Sequence, residues 1–124
     1  AASAPKTLED SLYAEVDEAH IVGMKKMGKL TGAMEDVKKA LDSLSKLPES
    51  KLDETYQQSL IDLQEDLNYA NYAMDTWMRE FKPNYAKDTP DVRIKYLQSE
   101  KDKVTKMRDN ILNGIQRADS LLKK

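Results

Sequence analysis

Apolar residues recur at alternating intervals of three and four along the first third of the chain. The series contains Tyr13, Val16, His20, Gly23, Met27, Leu30, Met34, Val37, Leu41 and Leu44. This is the spacing of the a and d positions of a heptad, so these side chains share one face of an α-helix. The pattern therefore predicts a long helix, of about 60 Å at 1.5 Å per residue, with a continuous apolar stripe.

Capping residues and prolines set the expected ends of the helices. Thr7 is an N-cap candidate, and the residue before Pro48 is disfavoured in helical geometry. Ser50 and Asp53 resemble a capping box that opens the next helix. Together with Pro83 and the Thr89-Pro90 pair, these signals predict helices over residues 8–46, 51–82 and 90–122.

Two further series with the same spacing support the later helices. The second contains Tyr56, Leu60, Leu63, Leu67, Ala70, Met74, Trp77 and Phe81. The third is weaker and contains Leu97, Lys101, Val104, Arg108, Ile111, Ile115, Ala118 and Leu122. Since short turns make consecutive helices antiparallel, we expect an all-α, up-down-up three-helix bundle. It would form one domain over residues 7–124, preceded by a disordered segment at residues 1–6.

Composition excludes several functional classes. The 20 basic and 22 acidic residues give a net charge of −2, which argues against nucleic-acid binding. The absence of cysteine excludes disulfides, zinc fingers, iron–sulfur clusters and thiol catalysis. No apolar run is long enough to span a membrane. Hydrolytic chemistry would depend on the single histidine without any nucleophile motif, so we expect no enzymatic activity.

A shared layer of methionine, histidine and tryptophan is the most distinctive feature of the predicted bundle. If the first turn is centred near Pro48, residue n of the first helix faces roughly residue 97 − n of the second. His20 then faces Trp77, and Gly23 faces Met74. Near this layer lie the residues with soft-ligand side chains: His20, Met24, Met27, Met74 and Met78.

Thioethers and imidazole without thiolate or carboxylate favour Cu(I) or Ag(I) over hard ions. We therefore treat His20, Met24, Met27, Met74 and Met78 as candidate metal ligands, with Trp77 as a shielding aromatic residue. A haem could take His20 with Met74 or Met78 as axial ligands. Haem bundles usually enclose the macrocycle with four helices, however, so haem is not expected.

Core packing explains the same residues without a ligand. Methionine fills irregular cores, and a bulky Trp77 could occupy the space beside Gly23. Gly23, Gly28 and Gly32 each cost a helix about 1 kcal/mol relative to alanine, which suggests close approach by something bulky. The alternative function is therefore a structural or protein-interaction bundle. Tyrosines near the second loop, Tyr69, Tyr72, Tyr85 and Tyr96, are candidates for a partner surface or for self-association.

Two segments carry a family resemblance. They are His-x3-Met-x2-Met at His20–Met27 and Met-x2-Trp-Met-x2-Phe at Met74–Phe81. The chain resembles small bacterial envelope lipoproteins that carry the label "viral A-type inclusion protein". The resemblance implies an exported protein of the periplasm or outer envelope, with a lipid-anchoring cysteine upstream of Ala1. The small residues at the start of the chain agree with a removed leader.

Overall fold

Three α-helices form the structure, a computed structural model that describes residues 7–123. They are α1 (Leu8–Ser45), α2 (Glu54–Glu80) and α3 (Pro90–Leu122), and the described residues contain no strand. The predicted all-α three-helix bundle is confirmed. The segment expected to be disordered, residues 1–6, lies outside the described residues.

Side-chain caps fix where α1 and α2 begin. The Thr7 hydroxyl accepts a hydrogen bond from the Asp10 backbone N–H at 3.0 Å, as an N-cap does. At the second helix Asp53, rather than Ser50, is the cap, and its carboxylate accepts from the Tyr56 N–H at 3.0 Å. Because Ser50 lies inside a short 3-10 turn, α2 starts at Glu54 instead of residue 51.

The core follows the predicted series along α2 and most of α1, but at the start of α1 Leu12 and Ala19 are buried while Tyr13 and His20 are only half-buried. Side chains from all three helices are completely buried in it: Leu30, Val37, Leu60, Leu63, Leu67, Met74, Leu97, Val104 and Ile111. Burying each large aliphatic side chain stabilises the fold by about 1.5–3 kcal/mol. The heptad spacing in the sequence is therefore the spacing of the core.

The face of α3 that packs inward is rotated from the predicted one. Lys101 is only half-buried, and its ammonium pairs with Glu15 on α1 at 2.9 Å. The buried charged residues of α3 are Arg93 and Glu100 instead. Gly114 accounts for part of this rotation, because a Cβ there would lie 2.8 Å from Leu67 Cδ2. A glycine at this position lets α2 and α3 approach closely.

Interhelical contacts define which ends of the helices lie together. Residue numbers fall along α2 as they rise along α1, and they rise together along α1 and α3. The contacts that show this are Tyr13–Phe81, His20–Trp77, Glu9–Arg93 and Glu15–Lys101. The start of α1 therefore lies beside the connection between α2 and α3, which we call the loop end. Within residues 7–123 no helix is both long and apolar enough to cross a membrane.

Replacing glycines of α1 by alanine should change the stability in opposite directions at different positions. A Cβ at Gly23 would lie 2.6 Å from the methyl carbon of Met74, which is completely buried, whereas a Cβ at Gly28 meets nothing within 4 Å. Gly28→Ala should raise the free energy of unfolding by about 1 kcal/mol through helix propensity. Gly23→Ala should lower it by about 1 kcal/mol, because overpacking outweighs that gain. Urea unfolding monitored by circular dichroism measures both, with Gly32→Ala as a second open-site control. Equal stabilisation by Gly23→Ala and Gly28→Ala would contradict this account.

Candidate ligand-binding cavity at the loop end

A cavity of about 260 Å³ lies between α1 and α2 at the loop end. Its wall combines aromatic rings with an imidazole, a thioether and a carboxylate. The lining residues are Tyr13, Val16, Asp17, His20, Trp77, Met78, Phe81 and Pro83. Heptad spacing places the residues of α1 on the side facing α2, while Pro83 closes the wall after α2 has ended.

His20 and Trp77 are in ring contact, with centroids 5.5 Å apart and planes inclined by 45°. The predicted juxtaposition of these two side chains is therefore present. Both His20 Nε2 and Trp77 Nε1 are buried and have no hydrogen-bond partner. Asp17, which lies three residues before the histidine, lines the same cavity but does not bond to Nε2. An unsatisfied buried polar atom costs about 1–3 kcal/mol, so each nitrogen is a local destabilising feature.

The unsatisfied polar atoms belong to one layer of the bundle. Among the described residues they are His20 Nε2, Thr76 Oγ1, Trp77 Nε1 and Glu100 Oε2. Glu100 lies one helical turn after Tyr96, which bonds to Lys82 just beyond α2. These atoms therefore come from all three helices.

A chain of aromatic rings continues from the cavity into the loop. Trp77 stacks on Phe81 with centroids 4.8 Å apart, and Phe81 stacks on Tyr96 at 5.9 Å. Tyr96 in turn contacts Tyr85 at 4.5 Å. The indole of Trp77 thus contacts both the imidazole of His20 and the ring of Phe81.

The candidate metal ligands differ in their burial and in their position relative to the cavity. Met78 is 41% exposed and lines the cavity together with His20. Met24 is 39% exposed, and Met27 is partly buried against the core. Met74 is completely buried. It fills the space beside Gly23, which we had expected Trp77 to occupy. The cavity wall therefore unites His20, Met78 and Trp77, but not Met24, Met27 or Met74.

Among residues 7–123, hard metal ions have no site comparable to the pairing of His20 with Met78. No group of three or more His, Asp or Glu side chains within residues 7–123 could hold an ion. The donors that share the cavity with His20 are the thioether of Met78 and the carboxylate of Asp17. Imidazole and thioether are ligands that soft ions accept, which retains Cu(I) and Ag(I) as the metals to consider.

Arg93, which the sequence patterns did not indicate, joins three segments at the loop end. Its Nη1 donates to the Tyr85 carbonyl at 3.0 Å, and its Nε pairs with Glu9 on α1 at 3.2 Å. The guanidinium carbon also lies 5.8 Å from the centre of the Tyr13 ring. The predicted third series steps by four after Leu97, so its backward extension reaches Ile94; Arg93 is reached only if the step before Leu97 is four.

Glu100 was missed because the predicted series steps by four from Leu97 to Lys101, whereas the buried face of α3 steps by three from Leu97 to Glu100. Its side chain is 8% exposed, and Oε2 lies 3.3 Å from Lys103 Nζ in an ion pair without hydrogen-bond geometry. Burial raises the pKa of the nearby Tyr96 hydroxyl, and the Glu100 carboxylate raises it further. The Lys82 backbone N–H, which donates to Tyr96 Oη at 2.9 Å, partly opposes this shift in pKa.

The four tyrosines considered as a partner surface do not form one surface. Tyr85 and Tyr96 belong to the aromatic chain of the loop end. Tyr69 and Tyr72 are 62% and 63% exposed on α2. Only this second pair is fully available to a partner.

No family model, curated protein or solved structure matches the chain. The likeness to envelope lipoproteins remains an expectation drawn from the segments around His20 and Trp77.

Alkaline pH should destabilise the protein through Tyr96. The unfolded chain ionises this hydroxyl near pH 10.0, its ordinary value, whereas the folded protein keeps it protonated to higher pH. The unfolded state then binds fewer protons, so the free energy of unfolding falls as pH rises past 10. In Tyr96→Phe this loss is absent, so the stability of the variant should decline less steeply between about pH 9 and 11. Urea unfolding at each pH measures the slope, with Tyr72→Phe as the exposed control. Identical slopes for wild type and Tyr96→Phe would refute the role of Tyr96.

Proposed function

We propose that the protein is a non-enzymatic binding protein with a soft-metal site for Cu(I) or Ag(I) at the loop end. One observation carries the proposal: His20 Nε2 is buried without a partner in the wall of a cavity that also contains the Met78 thioether. A metal ion that accepted the Nε2 lone pair would relieve the cost of that orphaned atom. The same nitrogen is enclosed by protein, so the imidazole has to turn toward the cavity as the ion enters.

In this proposal His20 and Met78 are the primary ligands. Met24 is the third, because it lies one helical turn from His20 on the same face of α1 and is exposed enough to move. Met27 and Met74 then act through packing around the site. Trp77 lies against the imidazole and serves as the reporter of binding, since it is already in ring contact with His20 and Phe81.

The proposal includes the up-down-up antiparallel topology, which the order of the interhelical contacts supports. It also includes an envelope location and an upstream lipid anchor, and both depend on the family resemblance alone. The proposal that the protein is not an enzyme rests on its single histidine and on the lack of a nucleophile motif in the sequence.

A structural or protein-interaction bundle is the second candidate. Its specific support is the way Met74 fills the space at Gly23, and the way Trp77 contacts both His20 and Phe81. These contacts need no ligand. The exposed pair Tyr69 and Tyr72 would then be the place for a partner or a second copy.

Silver titration tests the metal site. Adding Ag(I), an air-stable substitute for Cu(I), to the full chain should quench the emission of Trp77 saturably, because Trp77 is the only tryptophan. Free Ag(I) at about 100 times its Kd should also raise the free energy of unfolding by about 2.7 kcal/mol. Met78→Leu should weaken binding at least about tenfold, because leucine keeps the volume but removes the sulfur. Met34→Leu is the matched control, since Met34 packs against the core away from the cavity wall. An unchanged response in Met78→Leu would leave the packing bundle as the better account.

Replacing the imidazole separates stability from binding. His20→Phe keeps a ring against Trp77 but removes the orphaned nitrogen, so the metal-free variant should be about 1 kcal/mol more stable. The same variant should lose the saturable Ag(I) response. Chemical denaturation followed by metal titration on one preparation measures both quantities. If His20→Phe gains stability and still responds to Ag(I) like wild type, the imidazole is not a ligand.

A further inference from the structure

The cavity at the loop end is much larger than a metal ion needs. Its volume is about 260 Å³, whereas one water molecule occupies about 30 Å³ of liquid and a cavity of about 150 Å³ binds benzene. A molecule with one aromatic ring and a small substituent fits the space. The volume is therefore large enough for an organic molecule, whether or not a metal binds.

The wall of the cavity is rich in aromatic side chains, and several of them are already in ring contact. Phe81 is stacked with both Trp77 and Tyr96, and Trp77 also contacts His20. The Arg93 guanidinium covers Tyr13. The edge of an aromatic ring carries partial positive charge and attracts the face of another ring in a T-shaped contact. A cationic guest would meet the like charge of the Arg93 guanidinium beside Tyr13, so the wall favours a neutral aromatic guest.

Asp17 defines the polar requirement of the guest. Its carboxylate is exposed, lines the cavity, and makes no hydrogen bond or ion pair with any described residue. An anionic guest would be repelled by this negative charge. A hydroxyl or N–H group on the guest can instead donate a hydrogen bond to the carboxylate.

We propose that this cavity binds a small, neutral, monocyclic aromatic molecule that carries one hydrogen-bond donor, as phenols do. The ring lies among the side chains of Tyr13, Trp77 and Phe81, and the donor faces Asp17. The proposal goes beyond the metal site: it uses the cavity of the proposed function but requires no ion.

NMR titration of the full chain in the presence of a metal chelator tests this inference. The probes are phenol, cyclohexanol and benzoate, added at millimolar concentrations to ¹⁵N-labelled protein. Phenol should cause saturable shifts confined to the Trp77 indole N–H and to the backbone around residues 13–20 and 77–83. Cyclohexanol, which has the hydroxyl but no π face, and benzoate, which has the ring but a negative charge, should each bind about tenfold more weakly.

Asp17→Asn provides the matched variant, because it removes the charge at an exposed position. The affinity ratio of phenol to benzoate should fall from about tenfold to about twofold in Asp17→Asn. It should stay unchanged in Glu35→Gln, a control that neutralises another exposed carboxylate of α1 outside the cavity wall. The inference is overturned by the absence of saturable phenol shifts, by shifts outside the cavity, by equal binding of cyclohexanol, or by an unchanged ratio in Asp17→Asn. Because chelated protein is used, failure here is independent of the Ag(I) result.

Discussion

The close packing of α1 against α2 at Gly23 fixes how the two helices match along their length. The missing side chain admits the methyl end of Met74, which becomes completely buried. Three residues earlier on α1 and three later on α2, the same alignment brings the imidazole of His20 against the indole of Trp77. A shift by one helical turn, about 5.4 Å, would separate those rings. The cavity at the loop end therefore depends on a contact in the apolar core.

Much of the fold could be predicted from the sequence because heptad spacing is a direct record of burial. Val37, Leu60 and Val104 are completely buried where the spacing put them. The prediction was less accurate on α3, where Lys101 and Arg108 had been assigned to the stripe although both are only half-buried. Long cationic side chains can lie at the margin of a core and reach solvent, so a residue-type pattern cannot locate the centre of such a stripe.

The candidate site was predictable only in part. The alignment of two helices gave the contact between His20 and Trp77, since it depends on backbone register alone. The second apolar series already placed Met74 on the buried face of α2, but neither the spacing nor the alignment could show that Met78, outside that series, lines a cavity. The role of Arg93 was also hidden, since its bond to the Tyr85 carbonyl depends on the path of a loop. Loop paths follow from tertiary contacts that spacing does not encode.

The two connections of the bundle are fastened very differently. The connection after α2 is bonded through Arg93 to Tyr85 and through the Tyr96 hydroxyl to Lys82, whereas the hydrogen bonds of residues 46–52, after α1, are to nearby backbone carbonyls. Local opening starts where tertiary bonds are few. We therefore expect transient fraying to begin at the turn at Pro48, at the opposite end of the bundle from the cavity. Opening at that turn would leave the contacts around Arg93 in place, so the shape of the cavity is insulated from motion at the opposite end of the bundle.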